Sequence, residues 1–214
     1  MIEYMRHIDE YSNYGHSSFS NLVPSGQWGD KKIAEEYLQK YWLPEQEYLS
    51  VWKPIQDTIF VQGKSLPDLI YHPEFEIMVL RGGCLFLEED FKQLHKAMQE
   101  VGEEYFVIIQ HSQEFTDGEP IFRMKFPVNI TWEELTSGNY ISAVLLEMSY
   151  NEYFVFGKNG RYGKYSANDY EYPMDIIGFK PELASIFRER FKQSKEEQEE
   201  IQEWLPQKYK ELIK

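Results

Sequence analysis

Apolar positions along this chain recur at helical spacing in some segments and crowd into short β-branched and aromatic runs in others, and the alternation divides the sequence into elements. Ile33, Ala34, Tyr37, Leu38 and Tyr41 recur at three- and four-residue steps, which predicts a helix from the capping residue Asp30 to about Trp42, stopped by Pro44. Thr58–Gln62 and Phe75–Leu80 are short, β-branched and aromatic, and read as strands. Arg81-Gly82-Gly83 turns the chain into a return strand at Cys84–Leu87. From Glu88 to Val101 the apolar residues Phe91, Leu94, Ala97, Met98 and Val101 mark one helix face. Acids fill its first turn and Gly102 follows its end. Tyr105–Gln110 is apolar enough for a strand buried on both faces, and Ile121–Phe126 alternates. Thr131, three residues ahead of Glu134, caps a short helix, and Tyr140–Met148 and Glu152–Phe156 read as two further strands.

Lys158-Asn159-Gly160-Arg161, set between apolar flanks, predicts a tight hairpin, because Asn and Gly tolerate positive φ. Pro181 opens a helix through Leu183, Ile186, Phe187 and Phe191. Ser194 with Glu197 forms a capping box for an acidic terminal helix that Pro206 kinks or restarts. Helices and strands follow one another without regular βαβ alternation. The fold expected is therefore α+β, a single domain with a largely antiparallel sheet, flanking helices and a C-terminal helical element. Residues 1–192 form the globular part, with 1–29 irregular because they are rich in Ser, Asn, Gly and Tyr, and 193–214 form an acidic helix docked on the same domain.

Charge narrows the classes of partner. The formal net charge of -14 repels phosphate backbones, which argues against nucleic acid, and it steers a basic protein toward the surface. Cys84 is the single cysteine, so an intrachain disulfide and a Cys-rich zinc site are both excluded, and a reducing cytoplasm fits. The first ten residues lack the apolar h-region of a secretory signal. The longest apolar run, Tyr105–Ile109, is far short of the ~20 residues that span a bilayer, so no membrane association is expected.

Local motifs resolve mostly into turns. Gly63-Lys64-Ser65 follows a predicted strand, but a phosphate loop needs glycine where Thr58 stands, and Leu66-Pro67 obstructs the helix that should follow. Gly157, Gly160 and Gly163 have the wrong order for a dinucleotide fingerprint and suit a turn with close backbone approach. Cys84 near His95 or His111 is a conceivable nucleophile, yet Glu88, Glu89 and Asp90 raise a thiol pKa and oppose activation. His7, His16, His72, His95 and His111 form neither HxH nor HExxH, so neither a metal nor a cofactor is expected. His111 with Glu114 is the candidate ligand or base, against the plainer reading of a strand-end histidine hydrogen-bonded to backbone.

The segment from Tyr165 to Asp175 mixes tyrosines with carboxylates, and Tyr165, Asp169, Tyr170, Glu171, Tyr172 and Asp175 are the candidate contact residues, since tyrosines supply rigid amphipathic area and acids pair with arginines. Two acidic stretches, Glu88–Glu104 at net -4 and Glu196–Glu203 at net -5, read as solvated helix faces that imitate a polyanion only if they adjoin. The first functional expectation is a soluble intracellular non-enzymatic protein of the inhibitor or immunity type that binds a basic protein through an acidic, tyrosine-rich surface. An alternative is a small-molecule hydrolase or other enzyme assembled from distant residues, with His111, Glu114 and Cys84 as candidates. A second alternative is self-association through the terminal helix and its Ile201, Trp204, Leu205, Tyr209 and Leu212, which makes a homo-oligomer.

Overall fold

Residues 31–82, 85–111, 122–138, 141–142, 152–168 and 173–212 are described by the computed structural model. In chain order they form α1 (Lys31–Tyr41), α2 (Glu45–Glu47), a π-helical turn Tyr48–Trp52, α3 (Lys53–Ile59), β1 (Glu76–Arg81), α4 (Glu88–Val101), β2 (Tyr105–His111), β3 (Arg123–Pro127) and α5 (Trp132–Leu135). Then come β4 (Glu152–Gly157), β5 (Tyr162–Asn168), β6 (Pro173–Phe179), a 3-10 turn Pro181–Leu183, α6 (Ala184–Arg190), α7 (Lys195–Trp204) and α8 (Gln207–Lys210). The strands pair antiparallel in the order β1-β6-β5-β4-β2-β3, so the described part is a single-domain α+β architecture.

Both faces of this sheet are covered, and side-chain alternation sorts each strand between two cores. Phe106, Ile108, Tyr153, Val155, Ile177 and Phe179 pack on one face beneath α1, α4 and α6. Val107, Ile109, Phe154, Phe156, Tyr165 and Ile176 pack on the other, beneath Trp52, Phe60 and Tyr71 and the terminal helices. Strands buried on both sides need not alternate apolar with polar, which explains the unbroken run at Tyr105–Ile109. Ile201, Leu205 and Tyr209 are 4%, 3% and 1% exposed, so the apolar side of the terminal helices is used within the chain itself. The Tyr209 hydroxyl donates to the Asp68 carbonyl (2.9 Å) and accepts from the Ile70 amide (3.2 Å). Among the described residues no helix is long and apolar enough to cross a membrane.

Local signals that carry their own chemistry appear where expected. α4 runs from Glu88 to Val101 and ends on Gly102 at φ 84°, the left-handed conformation that favours glycine. Thr131 Oγ1 accepts from the Glu134 amide, and Ser194 with Glu197 closes a reciprocal capping box. Pro206 ends α7 and starts α8. The β4–β5 register, Phe156 opposite Gly163, places Asn159-Gly160 at the hairpin tip with Gly160 at φ 67°. Close approach also holds: a Cβ on Gly163 would lie 2.5 Å from Phe60 Cζ, and one on Gly178 would lie 2.3 Å from the Tyr71 ring.

Other segments differ from their local pattern. Thr58–Gln62 is no strand; α3 runs through Ile59, and Phe60 makes a single bridge to Tyr71 while its ring packs on Phe154. Leu85–Leu87 is not a strand either, because Leu85 and Phe86 plug the core and Leu87 leads directly into α4. Ile141 and Ser142 are helical rather than the start of a strand, and the rest of 140–148 lies outside the described residues, as do Asp30, Gly83, Cys84 and the segment 1–29. Ile33 is 42% exposed, whereas Tyr37, Leu38 and Tyr41 of α1 are buried. Pro173–Phe179, with no strand expected, is β6 and sits between β1 and β5.

Candidate functional site

Among the described residues, strand order makes β1 and β3 the sheet edges, and the two are treated differently. Along β3, Trp42 bridges Met124 and the Leu43 amide donates to the Arg123 carbonyl (3.1 Å). Along β1, among the described residues, the cap is a side chain: Gln193 Nε2 donates to the Val79 carbonyl at 2.7 Å. Residues 191–194 carry the chain from α6 on one face of the sheet to α7 on the other. Beside that connection lies a groove of about 650 Å³, lined by Ile77 and Val79 of β1, Phe191, Lys192, Lys195 and Gln202 among others. A volume of that size falls within the range of ligand and peptide clefts.

A second feature is a buried polar cluster on the α4 face of the sheet. Lys164 and Asp175 sit on neighbouring strands with their side chains 2.7 Å apart, 3% and 4% exposed. Ser166 donates to Asp175 at 2.6 Å, and Lys164 also reaches the Leu85 carbonyl and lies 4.5 Å from the centre of the Phe86 ring. Burial raises the Asp175 carboxyl above the ordinary aspartate value, against the opposing pull of Lys164 and Ser166. Asp90, at the start of α4, is raised by partial burial, again with Lys164 opposing. The cluster is internally compensated and closed to solvent, and so it serves to fix the β5–β6 register on α4.

The third feature is a pair formed across β2 and β4, where His111 stands opposite Glu152. Their side chains approach to 3.6 Å, 9% and 19% exposed, and His111 packs edge-on against Phe154 at 4.9 Å. His111 also borders a cavity of about 230 Å³ whose walls include Tyr48, Gln56, Asp57, Phe60 and Phe154. Burial holds the His111 pKa below the ordinary histidine value, so the ring is neutral at neutral pH. Burial, with the Glu152 charge adding to it, pushes the Tyr165 phenol up. A neutral imidazole beside a cavity can accept a proton from a group within it, but at 3.6 Å Glu152 lies beyond hydrogen-bond distance of His111 and burial weakens the ring as a base.

Against these positions the candidate contact residues separate. Tyr165 is fully buried on the α7 face and Asp175 is 3% exposed on the opposite face, so neither lies on a contact surface; strand pairing carries both inside. Asp169, Tyr170, Glu171 and Tyr172, between β5 and β6, lie outside the described residues, as do Cys84 and Glu114. His111 meets Glu152, a partner that only the β2–β4 register supplies. The acidic helices α4 and α7 cover opposite faces of the sheet and do not join into one polyanionic surface. Among the described residues no cluster of His, Cys, Asp and Glu is arranged to hold a metal ion. Comparison with protein-family models, curated proteins and solved structures finds no match for this chain, and the functional reading rests on this geometry.

Proposed function

We propose that this protein is a soluble, cytoplasmic, non-enzymatic binding protein of the inhibitor or immunity kind that captures a basic protein through exposed carboxylates. The observation that carries the reading is α7, in which Ile201 is the buried residue and Glu196, Glu197, Glu199, Glu200 and Glu203 all stand in solvent. Glu196 and Glu200, like Glu199 and Glu203, are four residues apart, and each such like-charge pair costs a helix about 0.2–0.5 kcal/mol. Lys195 meets Glu199 and Arg81 meets Glu200, so the repulsion is only partly offset within the chain. A cationic surface docking on α7 relieves the remainder, and its attraction weakens as salt screens it. Asp169, Tyr170, Glu171 and Tyr172 are carried in this proposal as additional contacts.

The test is retention of host-cell proteins by the tagged full-length chain at low and high salt, with the variant E196K/E203K alongside. A stoichiometric basic protein, released at high salt and associating at least tenfold more slowly with the variant, is the expected result. Retention indifferent to both salt and charge reversal overturns it. A second reading, a small-molecule hydrolase, is favoured by one observation, the His111–Glu152 approach beside its cavity. Hydrolysis of a panel of p-nitrophenyl esters that His111→Gln abolishes would support that reading; no hydrolysis above background would remove it.

A further inference from the structure

The groove along β1 combines a strand edge that no other strand covers among the described residues with a local excess of positive charge. In an antiparallel ladder the N–H and C=O of one residue point to the same side, alternating along the strand. The Gln193 amide on the Val79 carbonyl therefore fixes the parity: Val79 and Ile77 turn their backbone groups outward, while Met78 and Leu80 turn theirs toward β6. Among the described residues, no backbone hydrogen bond from another segment reaches the outer side of Ile77. The walls come from both faces of the sheet, with Met78 and Phe191 in one core and Val79 and Ile201 in the other. The cavity therefore runs along the strand edge itself rather than over a face.

Three cations outnumber one carboxylate in the lining of this groove, in a chain whose net charge is -14. Arg188, Lys192 and Lys195 line the groove together with the carboxylate of Glu199; Arg188 meets Glu76 at 3.0 Å and Lys195 meets Glu199 at 3.6 Å, which leaves Lys192, among the described residues, as the unbalanced cation. Lys192 is exposed and forms no ion pair among the described residues. The side-chain amides of Gln198 and Gln202 add donors and acceptors along the same wall.

We propose that the outer edge of β1 is a docking site for an extended acidic peptide segment of a protein partner. The segment adds as a short strand through main-chain hydrogen bonds to Ile77, and its carboxylates pair with Lys192 and the neighbouring Lys195 and Arg188. The main-chain bonds supply affinity and the cations select acidic side chains, the division of labour seen when a strand is added to a sheet edge. The groove shares Glu199 with the carboxylates of α7, but the proposal rests on the β1 edge and Lys192 and does not depend on α7 binding a basic protein. Gln193 caps the outward Val79 carbonyl and so takes the place of one strand hydrogen bond, which protects the edge from indiscriminate pairing.

The experiment titrates the full-length protein with two blocked pentapeptides, Glu-Val-Glu-Val-Glu and Lys-Val-Lys-Val-Lys, while following backbone amides by NMR. The acidic peptide is expected to shift the Ile77 and Val79 amides and to slow their hydrogen exchange at least tenfold, with the basic peptide leaving them unchanged. Lys192→Glu, an exposed and unpaired position, is expected to weaken the acidic peptide about tenfold without altering the spectrum of the free protein. Equal response to both peptides, or none at millimolar concentration, overturns the proposal. So does concentration-dependent dimerisation that protects the same two amides, which would give the edge to a second copy of the chain.

Discussion

Replacing Lys164 with Met tests whether the buried polar cluster is an internally balanced unit. At 2.7 Å and an effective dielectric near 20, the Lys164–Asp175 attraction is about 6 kcal/mol gross, set against a desolvation cost of several kcal/mol for each ion. The net value of the pair is therefore small, but its asymmetry is large. Lys164→Met leaves the Asp175 carboxylate buried with the Ser166 hydroxyl as its remaining donor, and the expected loss is about 3–5 kcal/mol. Asp175 already has its pKa raised by burial, and losing the lysine raises it further. A carboxyl whose folded-state pKa exceeds its unfolded value stabilises the fold below the unfolded value, and that stability is lost as pH rises toward the folded value. The variant is accordingly less impaired at pH 5 than at pH 8. The double replacement K164M/D175L removes both charges and should lie within about 1 kcal/mol of the parent. Urea unfolding followed by far-UV circular dichroism, with unchanged slope, measures all four corners of this cycle. If Lys164→Met costs under ~1 kcal/mol, or if the double variant loses the sum of the singles, the account of the cluster is refuted.

Three further outcomes are expected. Gly178→Ala drives a Cβ to 2.3 Å from the Tyr71 ring, and Gly163→Ala drives one to 2.5 Å from Phe60, so each should cost about 1–3 kcal/mol in thermal unfolding. Because His111 has its pKa lowered by burial, the unfolded chain takes up the proton first as pH falls through about 6.5. Stability should decline below that pH, and His111→Gln should flatten the decline measured by chemical unfolding between pH 7 and 5. Ser194→Ala removes one half of the capping box at the start of α7 and should cost about 1 kcal/mol, with Ser194→Asp restoring most of it.

Where a segment's own residues decide its conformation, the chain could be read directly. The helix Glu88–Val101 with its Gly102 end, the caps at Thr131 and Ser194, the break at Pro206 and the Asn159-Gly160 turn all depend on interactions within a few residues. So does the crowding of apolar residues in β2 and β4, and together these imply an α+β fold with an antiparallel sheet. Tertiary pairing overrode the local pattern where packing competed with it. Phe60 followed the α3 helix into the second core, Leu85 and Phe86 became plugs instead of a strand, and the polar-looking Pro173-Met174-Asp175 run became part of a central strand because Lys164 neutralises Asp175 there. Tyr165 and Asp175 look like surface chemistry in one dimension, and the strand register takes them to opposite buried faces. The pairing of His111 with Glu152 and the edge position of β1 among the described strands follow from strand order, a property of contacts between residues far apart in the chain. Charge and short-range propensity are written in the residues themselves, whereas burial, edge position and the partner of each ionisable group exist only once distant strands have met.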